Sequence, residues 1–559
     1  MIKKLKNLPL PGAKFEYKDW KQTTFDYIDY VTNPSNTYHS AFNEIDGYIE
    51  NTRTRKIGRF LPSANIDVYF KKSGNLAFGL PSYIGSKVED DDIGEGINIL
   101  GLVLSGSLVG IDMSNYKNFD FLKGIVHFFE SSKERVILNG WKGGFSGKSF
   151  WYDLLPGVLF TGIVGANKNC PKYLEDILLE NARNWYQVVV DLGGEKANFK
   201  YKGYSIINKV AIEDLKHPEE EAAAGIAYIL YFAYTLCKKE NFGDKNDLEN
   251  FRNGAIWAMN YLNNLENTPL YEELVYFAPY VAARMNKEFD LKYDIKKLIN
   301  FSLHGDSYSR PGWGLIDTIW GDVYSSGLLG SITDGDGYAF TMNTFDAALG
   351  FIPLLRYDQK YLNDIARWIY CASVSAQYFY PDKHKFSGNW VDSNGVKLFR
   401  GDCQSSIWIG ENDTRGNFIA YEGLRRHRRI VSYDENKNRI SNIEYFENNA
   451  SASGDAYTFN WFGHTDYGLY GSSHVGIFGS IIHDTNCHGV IMVNVSKLDF
   501  FAEDTFEDYL LINYTDQDAL VRVSKKYINL LNDENIPLID GLFIRIKKEE
   551  TLLIREREE

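Results

Sequence analysis

The chain has 559 residues, and 60 Lys plus Arg against 74 Asp plus Glu give it a formal charge of −14. This acidic balance disfavours nucleic acid as a partner, because no net positive field attracts phosphate. Hydrophobic residues make up 44% and charged residues 24%, which excludes extended disorder and is typical of a soluble globular protein. Aromatic residues reach 15%, and many lie in polar, glycine-rich stretches, a composition that suits enzymes acting on carbohydrate.

The start of the chain, the cysteines and the apolar stretches bear on location. Five cysteines are scattered without a C-x-x-C pair, which fits a reducing compartment. The basic start is not followed by an apolar stretch, because Pro9, Pro11, Lys14 and Glu16 interrupt it, so no secretion signal is predicted. The least polar segment, 97–111, is too short and too polar to span a bilayer. We therefore expect a cytoplasmic protein with no membrane partner, and the sequence leaves homo-oligomerisation open.

The first 92 residues hold one predicted helix, at about 18–33, in an N-terminal extension. From about 93 to 427 the apolar residues recur with a helical period, and two kinds of segment alternate. Segments that are apolar nearly all round are about 93–111, 149–166, 217–238, 270–287, 339–355 and 403–411. Segments with a single apolar stripe are about 118–131, 171–190, 246–264, 291–302, 359–377 and 418–427.

The segment 217–238 illustrates the local signals. Pro218 is placed at a helix start, and Glu219, Glu220 and Glu221 are predicted to fill the first turn. Lysines close the last turn, so both ends favour the helix dipole. The apolar body between them has no polar face and is predicted to be buried.

This alternation of buried and striped helices resembles the (α/α)6 toroid shared by many glycoside hydrolases and polysaccharide lyases. The resemblance is one of architecture, and it implies a ring of helical hairpins with the buried helices inside. The long connections, about 132–148, 191–216, 303–338 and 378–402, would then gather at one mouth of the ring. Long loops on a rigid scaffold commonly carry function.

After about residue 428 the period changes to two. Strands are predicted at about 429–433, 489–495, 509–514, 519–523 and 542–546, separated by turns rich in Asp and Asn. The expected fold is therefore mainly α: a toroid over 93–427, followed by a smaller antiparallel β domain over 428–559.

Acidic residues in the long loops are the candidates for catalysis. Glycoside hydrolysis needs two carboxyl groups of different pKa on either side of the glycosidic bond. The segment 303–346 offers four aspartates within 20 residues, and the connection 378–402 leads to one further acid. The candidate catalytic residues are Asp317, Asp322, Asp334, Asp336 and Glu411. Aspartates beside glycine also form caps and turns, and that interpretation competes with catalysis.

Aromatic and polar side chains near these acids are the candidates for binding substrate. Flat rings pack on the C–H faces of sugars, and amides, imidazoles and guanidinium groups bind hydroxyls or carboxylates. The candidates are Trp141, Trp151, Arg310, Trp313, Trp320, Tyr338, Asn343, Trp390, His464 and His474. Packing between neighbouring helices is the competing interpretation for the tryptophans.

No cofactor or metal is predicted. Gly147-Lys148-Ser149 imitates a phosphate-binding loop, but Lys142 stands where that motif requires glycine. The run starting at Asp334 resembles a calcium loop, but Phe345 occupies the twelfth position, where glutamate belongs. The histidines have no zinc spacing.

Two chemistries follow from these residues. The favoured one is a glycoside hydrolase that acts on an oligosaccharide or small glycoside with a carboxylic acid and a carboxylate base. The alternative is a lyase in which Tyr338, His464 or His474 removes a proton beside a uronate carboxylate held by Asn343 or Arg310. A non-catalytic sugar-binding or assembly protein, and an isomerase on the same ring, also stay open.

Overall fold

The structure is a computed structural model, and it describes residues 2–12, 16–42, 51–84, 94–141, 144–240, 243–321, 323–331, 337–383, 390–391, 397–399, 414–426, 428–433, 439–446, 451–453 and 467–557. The α-helices of these residues are α1 (Lys3–Lys6), α2 (Trp20–Val31), α3 (Ala64–Phe70), α4 (Gly96–Val109), α5 (Phe121–Gly124), α6 (Phe150–Ala166), α7 (Lys172–Asp191), α8 (Ala222–Glu240), α9 (Asp247–Asn264), α10 (Ala278–Phe289), α11 (Ile295–Leu303), α12 (Thr341–Phe351), α13 (Leu362–Ser375), α14 (Leu469–Ser472) and α15 (Gly476–Ile481).

The strands are short and every pair is antiparallel in the described residues. They are β1 (Thr37–Phe42), β2 (Asn51–Lys56), β3 (Arg59–Pro62), β4 (Leu76–Gly79), β5 (Tyr83–Ile84), β6 (Gly203–Ser205), β7 (Val210–Ile212), β8 (Trp313–Leu315), β9 (Leu329–Ser331), β10 (Tyr338–Phe340), β11 (Trp390–Val391), β12 (Lys397–Phe399), β13 (Gly423–Arg425), β14 (Arg428–Tyr433), β15 (Arg439–Phe446), β16 (Ser451–Ser453), β17 (Tyr467–Gly468), β18 (Ile482–Asp484), β19 (Val490–Asn494), β20 (Asp508–Asn513), β21 (Ala519–Arg522), β22 (Tyr527–Asn529), β23 (Glu534–Asn535), β24 (Leu538–Ile539), β25 (Phe543–Ile546) and β26 (Glu550–Glu556).

The two kinds of predicted helix differ in burial as expected. Every residue of α4 is buried, because its sequence offers no polar face to water. The helix ends at Gly110, whose φ of 93° is a left-handed cap that glycine adopts without strain. By contrast, α7 buries one side, with Leu174, Leu178 and Trp185 inward, and exposes charged residues on the other.

The buried helices contact one another in a definite order. Helix α4 contacts α6, α6 contacts α8, α8 contacts α10, α10 contacts α12, α12 contacts α15, and α15 contacts α4. The striped helices pack outside this set: α7 on α6 and α8, α9 on α8, and α11 on α10. Helix α2 from the N-terminal region packs on α15 and α4.

The structure corrects the sequence prediction at the end of the helical region. The striped helix expected at 418–427 is wrong, because Gly423–Arg425 is strand β13, which pairs with β10 and β16. The strands approach closely at Gly423, where a Cβ would collide with the carbonyl oxygen of Ala339. The partner segment expected at 403–411 lies outside the described residues. The predicted helix at 339–355 begins two residues late, after strand β10.

The C-terminal region is an antiparallel sheet region, as the period of two predicted. A six-stranded sheet has the order β18-β19-β20-β26-β22-β23, and a three-stranded sheet has the order β21-β25-β24. Val490, Leu511, Val521 and Ile544 belong to a hydrophobic core of their own. The prediction missed the two short helices α14 and α15, which precede β18.

A buried ionic network joins the helices to this sheet region. The Asp499 carboxylate accepts hydrogen bonds from Arg284 on α10 at 3.1 Å and from Tyr357 at 2.8 Å, and it is ion-paired with Arg356. Arg356 also pairs with Asp508 on β20 at 3.0 Å. Both aspartates are buried, so their charges depend on these partners.

Candidate functional site

Trp151, in the first turn of α6, lies between two buried carboxyl groups. Its backbone N–H donates to Glu219 Oε2 at 2.8 Å, and its indole Nε1–H donates to Glu273 Oε1 at 3.1 Å. The Ser149 hydroxyl donates to the two Glu219 oxygens at 2.8 and 2.7 Å. Trp151 is therefore a fixed, buried ring at the start of an inner helix rather than an exposed platform.

The three consecutive glutamates before α8 do not fill its first turn, because that helix begins only at Ala222. Instead, Glu219 caps α6, and Glu221 accepts backbone N–H groups of Glu272 and Glu273 at 2.9 and 3.3 Å. Glu219 and Glu221 therefore do stabilise the starts of helical segments, but of segments other than α8. The capping links α6, α8 and the segment before α10 at one end of the helices.

Three residues predicted from the sequence converge on Glu272, which the prediction missed. Arg310 forms an ion pair with the Glu272 carboxylate, and its guanidinium lies 3.9 Å from the ring centroid of Trp313. The Trp313 indole and the Asn343 amide both donate to the Glu272 carbonyl oxygen, at 2.7 and 2.9 Å. Tyr271, half-buried beside Glu272, has its ring centroid 5.5 Å from the Arg310 guanidinium.

Glu273, Asp346 and His474 form the deepest part of this cluster, and all three are fully buried. His474 Nδ1 lies 2.6 Å from Asp346 Oδ1, which ties α12 to the segment between α14 and α15. Among the described residues, Glu273 Oε2, Asp346 Oδ2 and His474 Nε2 have no hydrogen-bond partner. His474 Nε2 faces Gly101 of α4, so closely that a Cβ on that glycine would collide with it.

Burial raises the pKa of several carboxyl groups at this end of the helices. It raises the pKa of Glu219 and of Glu221 to about 7 and that of Asp153, on α6, to about 8. The pKa of Glu273 is raised well above its ordinary range, mainly by burial and further by the charge of Asp346. Such groups hold protons near neutral pH and are able to donate them, which is what a general acid needs.

The surrounding loops are hydrogen-bonded to one another at the same end. The backbone N–H of Ile206, beside β6, donates to the Ser146 hydroxyl at 2.8 Å, and Phe150 N–H donates to the Lys202 carbonyl at 2.8 Å. The hydroxyl of Tyr308, from the 304–312 loop, donates to Glu220. Three of the predicted long connections therefore meet around the starts of α6 and α8.

Other predicted residues lie apart from this cluster or outside the description. Trp141 stacks on His127 with ring centroids 4.1 Å apart. Trp320 and Tyr338 are buried, whereas Asp317 is exposed and acts electrostatically on Lys4. Trp390 lies in β11. Five candidates, Asp322, Asp334, Asp336, Glu411 and His464, lie outside the described residues.

Acids inside apolar segments were the signal that could have revealed the missed residues. Asp346 stands in the middle of α12, a helix whose residues are all buried, and Glu272-Glu273 directly precede the buried run that starts at Leu274. A buried acid needs partners, so its presence in such a run points to a polar cluster.

The search of family models and the search of curated proteins give no match to this chain. In the part of the chain that is described, no helix is both long and apolar enough to cross a membrane.

Proposed function

We propose that the protein is a glycoside hydrolase built on an (α/α)6 ring of helical hairpins. The support for the ring is the order of contacts, in which α4, α6, α8, α10, α12 and α15 each touch the next and α15 returns to α4. In this arrangement the sixth hairpin consists of α15 inside and α2 outside, because α2 packs on α15. The ring would thus use the N-terminal helix rather than the 403–427 segment.

The observation that carries the proposal is a set of two buried glutamates with different partners, Glu219 on the Trp151 N–H and Glu272 on the Arg310 guanidinium. Burial raises the pKa of Glu219 to about 7, which suits a proton donor to the leaving-group oxygen. Glu272 is ion-paired with Arg310 and is 6% exposed, which suits a carboxylate that activates water or attacks the sugar. Tyr271 is near both, since the charges of Glu219 and Arg310 both affect its pKa, which burial raises.

The substrate class follows from the neighbouring rings. Tyr271, half-buried beside Glu272, is the ring of this cluster that a sugar C–H face can reach, whereas Trp151 and Trp313 are buried behind the acids and hold them in place. We expect an oligosaccharide or small glycoside, as the sequence predicts, and the cytoplasmic location stays a prediction.

The lyase alternative has less support. It needs a base with a ring nitrogen that can reach a substrate, but His474 Nδ1 is bound to Asp346, its Nε2 faces Gly101, and Asn343 uses its amide on the Glu272 carbonyl. A non-catalytic sugar-binding protein would keep the aromatic rings and show no turnover.

The test is a screen of oligosaccharides and aryl glycosides with two readouts. Release of reducing ends reports hydrolysis, and a new ultraviolet absorbance reports the unsaturated product of a lyase. We expect reducing ends without the absorbance, and at least a 100-fold loss of rate in Glu219→Gln and in Glu272→Gln. Glutamine at 219 still accepts the Trp151 and Ser149 hydrogen bonds, so the fold is kept.

The matched control is Glu195→Gln, which changes an exposed glutamate in a turn after α7 and should leave the rate unchanged. Full activity in both Glu219→Gln and Glu272→Gln would refute these roles. Ultraviolet-absorbing products would favour the lyase instead.

A further inference from the structure

A second concave site, lined mainly by residues before α6, takes no part in the roles assigned above. It is a cavity of about 390 Å³ whose lining includes Asn65, Phe128, Ser132, Lys133 and Phe145. Leu138 of its lining precedes Asn139, whose side chain accepts the N–H of Ile97 at the start of α4. Phe145 of its lining lies four residues before Ser149, whose hydroxyl donates to Glu219, so the cavity is near the start of α6.

Phe145 is the unusual residue of this cavity, because its ring is 56% exposed. Because this exposed ring lines a cavity, it offers a flat apolar surface that a ligand in the cavity would cover. The ammonium group of Lys133 lies over one face of the ring, 5.6 Å from its centroid, and leaves the other face for a ligand. A flat ring next to hydrogen-bonding groups is the arrangement that a sugar needs.

The backbone after Phe145 is fixed by two buried carboxyl groups. Ser146 donates from its backbone N–H to Glu134 at 3.0 and 3.1 Å, and from its hydroxyl to Glu134 Oε1 at 2.7 Å. The N–H of Gly147 donates to Asp153 at 2.7 Å. An exposed ring on an anchored backbone loses little conformational entropy when a ligand binds, so it is preorganised.

We propose that this cavity binds one sugar ring of a longer chain whose cleaved bond lies at the Glu219–Glu272 site. The Phe145 ring packs against the C–H face of that sugar. Lys133 donates to its hydroxyl groups, and the side-chain oxygens of Asn65 and Ser132 accept from them, since the Asn65 amide already donates to the His127 carbonyl and the Ser132 hydroxyl to Glu130. The inference rests on the proposed function for the identity of the ligand, and it makes the substrate an oligosaccharide rather than a small glycoside.

The experiment measures binding separately from turnover. Glu219→Gln is used as the background, and malto-, cello-, xylo-, manno- and chitohexaose and hexagalacturonate are titrated by calorimetry. We expect at least one hexasaccharide to bind, Phe145→Ala to weaken it about tenfold, and Phe145→Tyr to restore binding. The matched control is Phe506→Ala, which removes another exposed phenylalanine, 42% exposed, in the C-terminal region.

The outcomes separate the two proposals. Equal binding by Phe145→Ala and the parent, or no binding of any hexasaccharide, overturns the inference. If the protein hydrolyses a glycoside but Phe145→Ala does not weaken oligosaccharide binding, the proposed function is kept and the sugar site is rejected. Binding that depends on Phe145 without any hydrolysis keeps the sugar site and removes the hydrolase.

Discussion

Gly101→Ala is predicted to destabilise the protein, although alanine is the better helix former. In a free helix this exchange stabilises by about 0.5–1 kcal/mol. At Gly101, however, the new Cβ would lie 3.0 Å from His474 Cε1 and closer still to Nε2 and Cδ2, well inside van der Waals contact. Carbon contacts need about 3.5 Å, so the imidazole must shift by an amount on the order of 1 Å.

His474 cannot make that shift without loss, because Asp346 holds its Nδ1 at 2.6 Å and both side chains are fully buried. Overpacking of this kind costs about 1–3 kcal/mol, and weakening a buried pair adds to it. After subtracting the helix-propensity gain, overpacking alone leaves a net loss of up to about 2.5 kcal/mol, to which the weakened Asp346–His474 pair adds. The midpoint of thermal unfolding, followed by circular dichroism, should fall by several degrees.

Two variants make this prediction specific. In Gly106→Ala, on the same helix, the new Cβ meets the flexible tip of Met113, 2.5 Å from Sδ and 3.2 Å from Cγ, and the side chain can turn away. We expect little change there. Combined with His474→Ala, the Gly101→Ala exchange should cost nothing further. A Gly101→Ala protein as stable as the parent would refute the packing argument.

The remaining predictions concern buried charges. Burial raises the pKa of Asp153 from 3.8 to about 8, so the folded protein keeps a proton that the unfolded chain releases. The free energy of unfolding should therefore fall as pH rises from about 4 to about 8. In Asp153→Asn, the midpoint of thermal unfolding should depend less on pH across that range. Asp499→Asn leaves Arg284 and Arg356 without their shared buried carboxylate, and it should lower the free energy of unfolding by about 3–5 kcal/mol in a denaturant titration. An unchanged free energy of unfolding would contradict the role given to this ionic network. Its control is Asp518→Asn, which breaks an exposed pair with Arg545 and should change the unfolding midpoint little.

Local patterns in the sequence determined much of the secondary structure. The all-round apolar sequence of α4 and the single stripe of α7 follow from helical periodicity, which reports burial directly. The period of two likewise located β19, β20, β21 and β25. The choice of Trp151, Arg310, Trp313 and Asn343 came from residue chemistry in the loops, and these side chains meet around Glu272 and Glu273.

Only the tertiary structure decided which distant segments join the series of buried helices that contact one another. Helix α15 has six residues, too few for a helical period to be recognised, and its partner α2 lies more than 440 residues earlier in the chain. The pairing of Asp346 with His474 spans 128 residues and depends on space that Gly101 leaves open. Local sequence patterns carry no information on such contacts, because they depend on how separate helices pack together.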